Sequence, residues 1–218
     1  MAASVVSLSV QTGSGGFAVA RQVAERLRFR YYDWEITSEA ASRAGVSPNE
    51  VIAAERVPGF LERMMRRLGA VSVTSMEGGP GFGEPSPALV NTAVLSISSD
   101  DYRPIIERVV VELGQLGEAV IVGHASQYHL RNQTSALRVL IHGSPSRRTE
   151  RLADERGIDR KRATELVKQS DQDRHEVLKR VYHFEWLDAR MYDLTIDTDR
   201  IPLDYAVETI VAAAKALP

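Results

Sequence analysis

Gly13-Ser14-Gly15-Gly16 is the segment whose residue types point most directly to chemistry. Glycines let a backbone turn sharply and aim successive N–H groups inward. A helix starting at the end of such a turn adds the positive end of its dipole. The product is an anion pocket suited to a phosphate, with the N–H groups of Gly13, Ser14, Gly15, Gly16 and Phe17 as donors. The competing reading is a tight turn that lets a strand and a helix pack closely. The segment is not a Walker A loop. With Gly13-Ser14-Gly15 laid on that motif, Gly16 falls where the lysine belongs, and Phe17 and Ala18 replace the following Gly and Thr. The lysine that bridges phosphates and the hydroxyl that helps hold Mg²⁺ are both missing from the loop.

Lysine is scarce well beyond this loop. The chain has 27 Lys and Arg, and only Lys161, Lys168, Lys179 and Lys215 are lysine, so the first 160 residues contain none. Cationic chemistry there must use arginine. Arg147, Arg148 and Arg151 open one helical stretch, and Arg174 lies further along with Asp171 three residues before it. Guanidinium forks suit phosphate oxygens. Arg147, Arg151 and Arg174 are the candidates for that role, Arg148 less so, and a solvated helix face is the alternative. Asp171 would orient Arg174, contact a base or metal, or form an i,i+3 salt bridge. Asp33 is placed either to bind a ribose or base or to cap a helix. His124 contacts phosphate when protonated, or is a neutral histidine satisfied by the backbone. Arg160-Lys161-Arg162 reads as a solvated charged face. His175 and His183 lack metal-ligand spacing, so no metal is assigned to them.

The elements that must position these residues follow from periodicity. Val5–Val10 is a β-branched strand. Phe17–Leu27 is a helix with Phe17, Ala20, Val23, Ala24 and Leu27 on one face. Phe29–Tyr32 is a second strand, and residues 36–68 read as helical, with Ser47-Pro48-Asn49-Glu50 as a helix start. Residues 77–87 carry the strongest loop signal. A helix is predicted over Tyr102–Leu116 and buried strands over Ala119–Gly123 and Leu137–His142. Ser144-Pro145 starts the arginine helix, and a charged helix spans Asp159–Tyr182. A strand over Tyr192–Asp197 and a helix over Leu203–Leu217 complete the chain. Strands alternating with helices predict an α/β fold with a parallel sheet, whose ligands sit at the carboxyl ends of the strands.

Length and composition set the bounds. The 218 residues suffice for one domain with a sizeable core. Hydrophobic residues make up 44% and charged residues 26%, ordinary for a globular protein. Net charge of −2 argues against a general nucleic-acid binder. Zero cysteines exclude disulfides, thiol catalysis and cysteine-ligated zinc. No signal peptide and no membrane-length apolar run is read, so a cytoplasmic protein with no membrane partner is expected. A homo-oligomer is compatible with the sequence.

Taken in order, several segments resemble the cytidylate kinase-like family: Gln11 to Gly16; Tyr31-Tyr32-Asp33; Val120-Ile121-Val122-Gly123-His124-Ala125; Arg147 and Arg151; Asp171 and Arg174; Trp186; Tyr192-Asp193-Leu194; and Ile196-Asp197-Thr198. The resemblance covers nearly the whole chain, most weakly at 60–100. It implies a P-loop nucleoside monophosphate kinase-like three-layer fold with a five-stranded parallel sheet flanked by helices. Residues 34–100 would be the NMP-binding insertion and about 153–183 the lid. It further implies ATP and Mg²⁺ as cofactors and transfer of the γ-phosphoryl to a nucleoside monophosphate, CMP by analogy. The chain departs from the family at Val10, Phe17 and His124, each standing where the family has or often has arginine. Each change removes a fixed positive charge. A non-catalytic nucleotide-binding or interaction protein on the same fold is therefore the alternative.

Overall fold

The computed structural model describes residues 2–45, 47 and 99–217. Five strands, β1 (Val5–Val10), β2 (Arg30–Tyr32), β3 (Ala119–Val122), β4 (Ala136–His142) and β5 (Leu194–Asp197), form one sheet. Their order is β2-β3-β1-β4-β5, and every pairing is parallel. Central β1 pairs with β3 on one side and β4 on the other, Leu8 standing opposite Val122 and Val139.

The sequence of β1 assigns its two faces, because side chains alternate along a strand. Val6, Leu8 and Val10 pack with α1 (Gly16–Leu27) and α7 (Leu203–Ala216). Val5 joins the opposite core with α2 (Trp34–Ala44) and α3 (Ser99–Leu116) through Ile36, Ala40, Ile106 and Val110. Ser7 and Ser9 share that second face and are buried with their hydroxyls paired. Ser7 Oγ lies 2.7 Å from Ser126 Oγ in the short α4 (Ser126–His129), and Ser9 Oγ accepts from Trp186 Nε1 at 2.8 Å. A buried hydroxyl with a partner avoids the desolvation cost that an orphan would carry.

The helices α5 (Pro145–Arg156) and α6 (Arg160–Tyr182) stand apart from this sandwich. Ser144 and Asp159 cap them, each accepting from the N–H three residues on, as the sequence predicts for Ser144-Pro145. Their mutual core is small, Leu152, Ala163 and Val167, and it is separate from both cores on the sheet. No helix among the described residues is long and apolar enough to cross a membrane.

Several expectations are corrected. Phe17 is 40% exposed, whereas Ala20, Val23 and Ala24 of the same expected face are buried. The first turn of α1 begins at the carboxyl edge of the sheet, so position 17 lies beyond the strands that the later turns cover. The helix expected from residue 36 onward runs only to Ala44, where Gly45 at φ +70° ends it. The helix start at Ser47–Glu50, the remainder to residue 68 and the loop at 77–87 fall in the stretch outside the described residues, Ser47 excepted. The last strand begins at Leu194 rather than Tyr192, because residues Ala189–Met191 form a 3₁₀ turn whose end is bonded by Tyr192 N–H.

Candidate functional site

The glycine loop leaves the carboxyl end of β1 and becomes α1. Gly13 and Gly15 take φ of +79° and +77°, the left-handed region that favours glycine. A Cβ at Gly13 would run into the backbone carbonyl of Arg148. At Gly16 the constraint is proximity, since a Cβ would lie 2.6 Å from Val10 Cγ1. Val10, one of the departures from arginine, therefore packs where the loop returns onto the sheet. Gly15 is the N-cap of α1 and offers no side chain, so the helix has no side-chain cap. Ser14 is buried and its Oγ accepts from Gly16 N–H at 3.3 Å. Phe17 follows, exposed at the mouth.

The loop is bound to its surroundings by polar contacts. Gln11 Oε1 accepts from Gly143 N–H at 3.2 Å, just past β4. Thr12 Oγ1 lies 2.7 Å from Ser170 Oγ on α6. Arg148 donates to Gly143 O at 2.9 Å and to Thr12 O at 3.2 Å, and its Nη1 and Nη2 reach both oxygens of Asp171 at 3.0 and 2.6 Å. Sequence reasoning ranked Arg148 below its neighbours. It is the arginine built into the loop, with only 1% of its side chain exposed. No sequence signal separates it from Arg147 or Arg151, because which face of α5 meets the loop is a tertiary property. Asp171 correspondingly meets Arg148 across the helix pair.

The three arginines expected on phosphate are not gathered at one point. Arg147 is exposed on the first turn of α5, 3.9 Å from Glu150. Arg151 donates to Thr198 Oγ1 at 2.9 Å and to Thr198 O, and lies 4.0 Å from Asp199. The bond from Ser144, with Arg151 and Arg147 nearby, holds the Asp199 carboxyl below its ordinary value. Arg147 and Arg151 thus belong to the ends of β4 and β5. Arg174 lies elsewhere along the same edge. Its guanidinium stands 5.3 Å from the Trp186 ring centroid, and its Nη1 is 3.8 Å from the position of a Cβ on Gly123.

Beside Arg174, Trp186 is buried against β1, and its carbonyl accepts from Tyr192 Oη at 2.8 Å. Burial raises the Tyr192 phenol, with Ser9 and the Arg174 charge working against that rise. Sequence reasoning missed Ser9 and Tyr192 as partners of Trp186. The available signal was serine at alternate positions 7 and 9 in a buried strand.

His124 and Asp33 are brought together. His124 Nε2 is 3.0 Å from the Asp33 carbonyl, so Nε2 carries the proton and donates. His124 and Ala125 take φ of +53° and +48° after Gly123 at +79°. Three successive left-handed residues end β3 at the carboxyl edge, a costly backbone that surrounding contacts must hold. Asp33 occupies the N-cap position of α2, but its carboxylate makes no cap bond. Instead Tyr31 Oη donates to it at 3.3 Å. Burial, then the Asp33 charge, pushes the Tyr31 phenol up to about 12. His124 thus meets a backbone carbonyl, and the Asp33 carboxylate meets Tyr31 and makes no cap bond to α2.

The site suits a phosphate-bearing ligand on its own geometry. The loop has glycine at position 13 because a Cβ there would meet the backbone carbonyl of Arg148. It offers Mg²⁺ little protein ligation: among the described residues no group of three or more His, Asp or Glu side chains converges. The hydroxyls of Thr12 and Ser14 are already bonded.

Comparison with known proteins agrees with this architecture. Residues 5–200 match the cytidylate kinase-like family. Among solved structures, the chain is similar to an uncharacterized protein from Eubacterium ventriosum, at 18% identity and TM-score 0.65, over 97% of this chain and 98% of that one. It is also similar to a shikimate kinase from Bacteroides thetaiotaomicron, at 10% identity and TM-score 0.47, over 94% and 95% of the two chains. A shikimate kinase from Acinetobacter baumannii, in complex with shikimate, is 13% identical with TM-score 0.46, over 95% and 90%. No curated protein matches. The first structure shares the fold. With a family match running from β1 to the end of β5, the protein belongs to the cytidylate kinase-like family.

Proposed function

We propose that the protein binds ATP through the glycine loop and transfers its γ-phosphoryl to a nucleoside monophosphate, CMP by family analogy. The observation that carries this reading is the loop at the end of the central strand, left-handed at Gly13 and Gly15 and opening a helix that has no side-chain cap. In this reading the N–H groups of Gly13, Gly15 and Phe17 hold the donor phosphates, those of Ser14 and Gly16 being bonded to Gln11 O and Ser14 Oγ. Mg²⁺ bound with the nucleotide would supply charge neutralisation on the phosphates. An acceptor phosphate oxygen attacks the γ-phosphorus while the bond to the bridging oxygen breaks, and ADP leaves. Arg174, at the β3 end, stabilises the developing charge, and Arg147 is a second contributor from α5. Arg151 is engaged by Thr198 and Asp199, so it is assigned to holding the β5 end. His124 and Asp33 shape the acceptor side through their mutual bond. Residues 34–100 and 153–183 act as acceptor insertion and lid.

A non-catalytic nucleotide binder on the same fold is the second reading. The engagement of Arg148 and Arg151 in bonds to the protein favours it, as does the absence of lysine before Lys161. A coupled ADP-release assay over a panel of nucleoside monophosphates, beside isothermal titration with ATP, separates the two. Turnover above background supports transfer. ATP binding without turnover leaves the second reading. No ATP binding removes both.

A further inference from the structure

Arg148 is too thoroughly engaged to be a phosphate ligand. Its Nε, both Nη1 hydrogens and one Nη2 hydrogen account for the bonds to Gly143 O, Thr12 O and the two Asp171 oxygens. Four of the five donors of a guanidinium are thereby spent. The charge is buried, and Asp171, 28% exposed, is the acid that compensates it. A buried charge that loses its partner is strongly destabilised. The glycine loop meets the Arg148 end of this pair through three contacts. Thr12 lends its carbonyl, Gly13 packs against the Arg148 carbonyl, and Gln11 holds the Gly143 that accepts from Arg148. On α6, Ser170 beside Asp171 adds a second link, to Thr12 Oγ1.

These polar links join the α5–α6 pair to the loop, beside the Arg151–Thr198 bonds at the β5 end and the packing of Tyr182 on Tyr128 and His129. The apolar cluster of Leu152, Ala163 and Val167 joins the two helices to each other and belongs to neither core of the sheet. Through Arg148 the position of α6 and the shape of the loop are set by the same bonds.

We propose that Arg148 and Asp171 are a positioning pair: α6 docked through them sets the geometry of the glycine loop, so that α6 docking and nucleotide binding are coupled. The coupling rests on the reading that the loop binds phosphate. Linkage makes it reciprocal, so ATP strengthens the docking of α6 by the factor by which docking strengthens ATP.

The test measures amide hydrogen exchange across residues 11–16 and 160–182, together with ATP and pyrophosphate affinity by titration and global melting. In nucleotide-free Asp171→Asn, exchange rises about tenfold or more in both segments, and ATP Kd rises about tenfold or more. Asp171→Glu, which keeps the charge, recovers most of both. In the wild type, ATP slows exchange in α6 as well as in the loop. Should Asp171→Asn melt globally, Ser170→Ala removes only the Thr12 link and raises loop exchange several-fold. If α6 exchange rises while loop exchange and Kd stay within about twofold of wild type, the pair is helix packing alone and the proposal is overturned. If the wild type binds neither ATP nor pyrophosphate, the phosphate reading fails. The exchange arm still decides whether α6 and the loop are coupled.

Discussion

At Gly13 there is room for hydrogen and nothing larger. A methyl group would meet the Arg148 carbonyl, and φ of +79° would strain any other residue. Gly13→Ala should therefore cost about 1–3 kcal/mol of stability, the range for a non-glycine residue forced into a sparsely populated backbone region. Urea denaturation measures it, and a loss below a few tenths would show that the loop relaxes freely. The same substitution should weaken ATP binding, since it displaces the N–H groups assigned to phosphate. Trp186 makes a second test at this scale. Its Nε1 satisfies Ser9 Oγ inside the protein. Trp186→Phe leaves that buried hydroxyl without its donor, so about 1–3 kcal/mol should be lost. The double variant Trp186→Phe with Ser9→Ala should recover part of the loss, because the hydroxyl left without a donor is gone.

At the scale of elements, the junction of α4 with the end of α6 holds a buried histidine. The His129 side chain is 1% exposed, both ring nitrogens lack a hydrogen-bond partner, and Tyr128 and Tyr182 pack against it edge-on. Phe184 stacks on Tyr128 with centroids 5.8 Å apart. Burial lowers the His129 pKa, partly opposed by Glu107, whose carboxylate is 3.8 Å from Nδ1. The folded state therefore favours the neutral ring, while the unfolded chain takes up a proton near the ordinary value of about 6.5. Stability from this group is fully present above that value and declines as pH falls below it. Melting temperature followed from pH 8 to pH 5 should fall more steeply for wild type than for His129→Phe. Parallel curves would remove the histidine from the account.

Over the whole molecule, stability is expected to be uneven. The sheet is covered by apolar helices on both faces, with Val6, Leu8, Val120 and Ile121 fully buried. The α5–α6 pair shares a small apolar cluster of Leu152, Ala163 and Val167, and otherwise meets the rest of the molecule through polar links to the loop and the β5 end and through Tyr182 at the end of α6. Local opening free energy follows the density of buried contacts. Leu152→Ala should cost about 2–5 kcal/mol, the usual range for a buried leucine. Hydrogen exchange should place that loss in α5 and α6, with β1 and β3 keeping their protection. If all the strands lose protection together, the pair is part of one cooperative unit and the division is wrong.

Much of the architecture was legible beforehand because it rests on local rules. Val5–Val10 was bounded correctly by a β-branched run ending before Gly13. Ser144-Pro145 announced a helix start, and alternation of strands with helices implied a parallel sheet. Gly13 to Gly16 marked the loop because left-handed geometry, taken up at Gly13 and Gly15, favours glycine, although His124 and Ala125 adopt it as well. Tertiary structure alone decided which charged groups serve the loop. Arg147, Arg148 and Arg151 are alike in type and adjacent in sequence, yet they are respectively exposed, buried beside Thr12, and bonded to Thr198. Asp171 meets Arg148, a partner on another helix that its own sequence neighbours do not announce. Local propensity depends on neighbours in the chain. The partner of a guanidinium depends on which helix face meets which loop, and that is settled only when the sheet and its helices are packed.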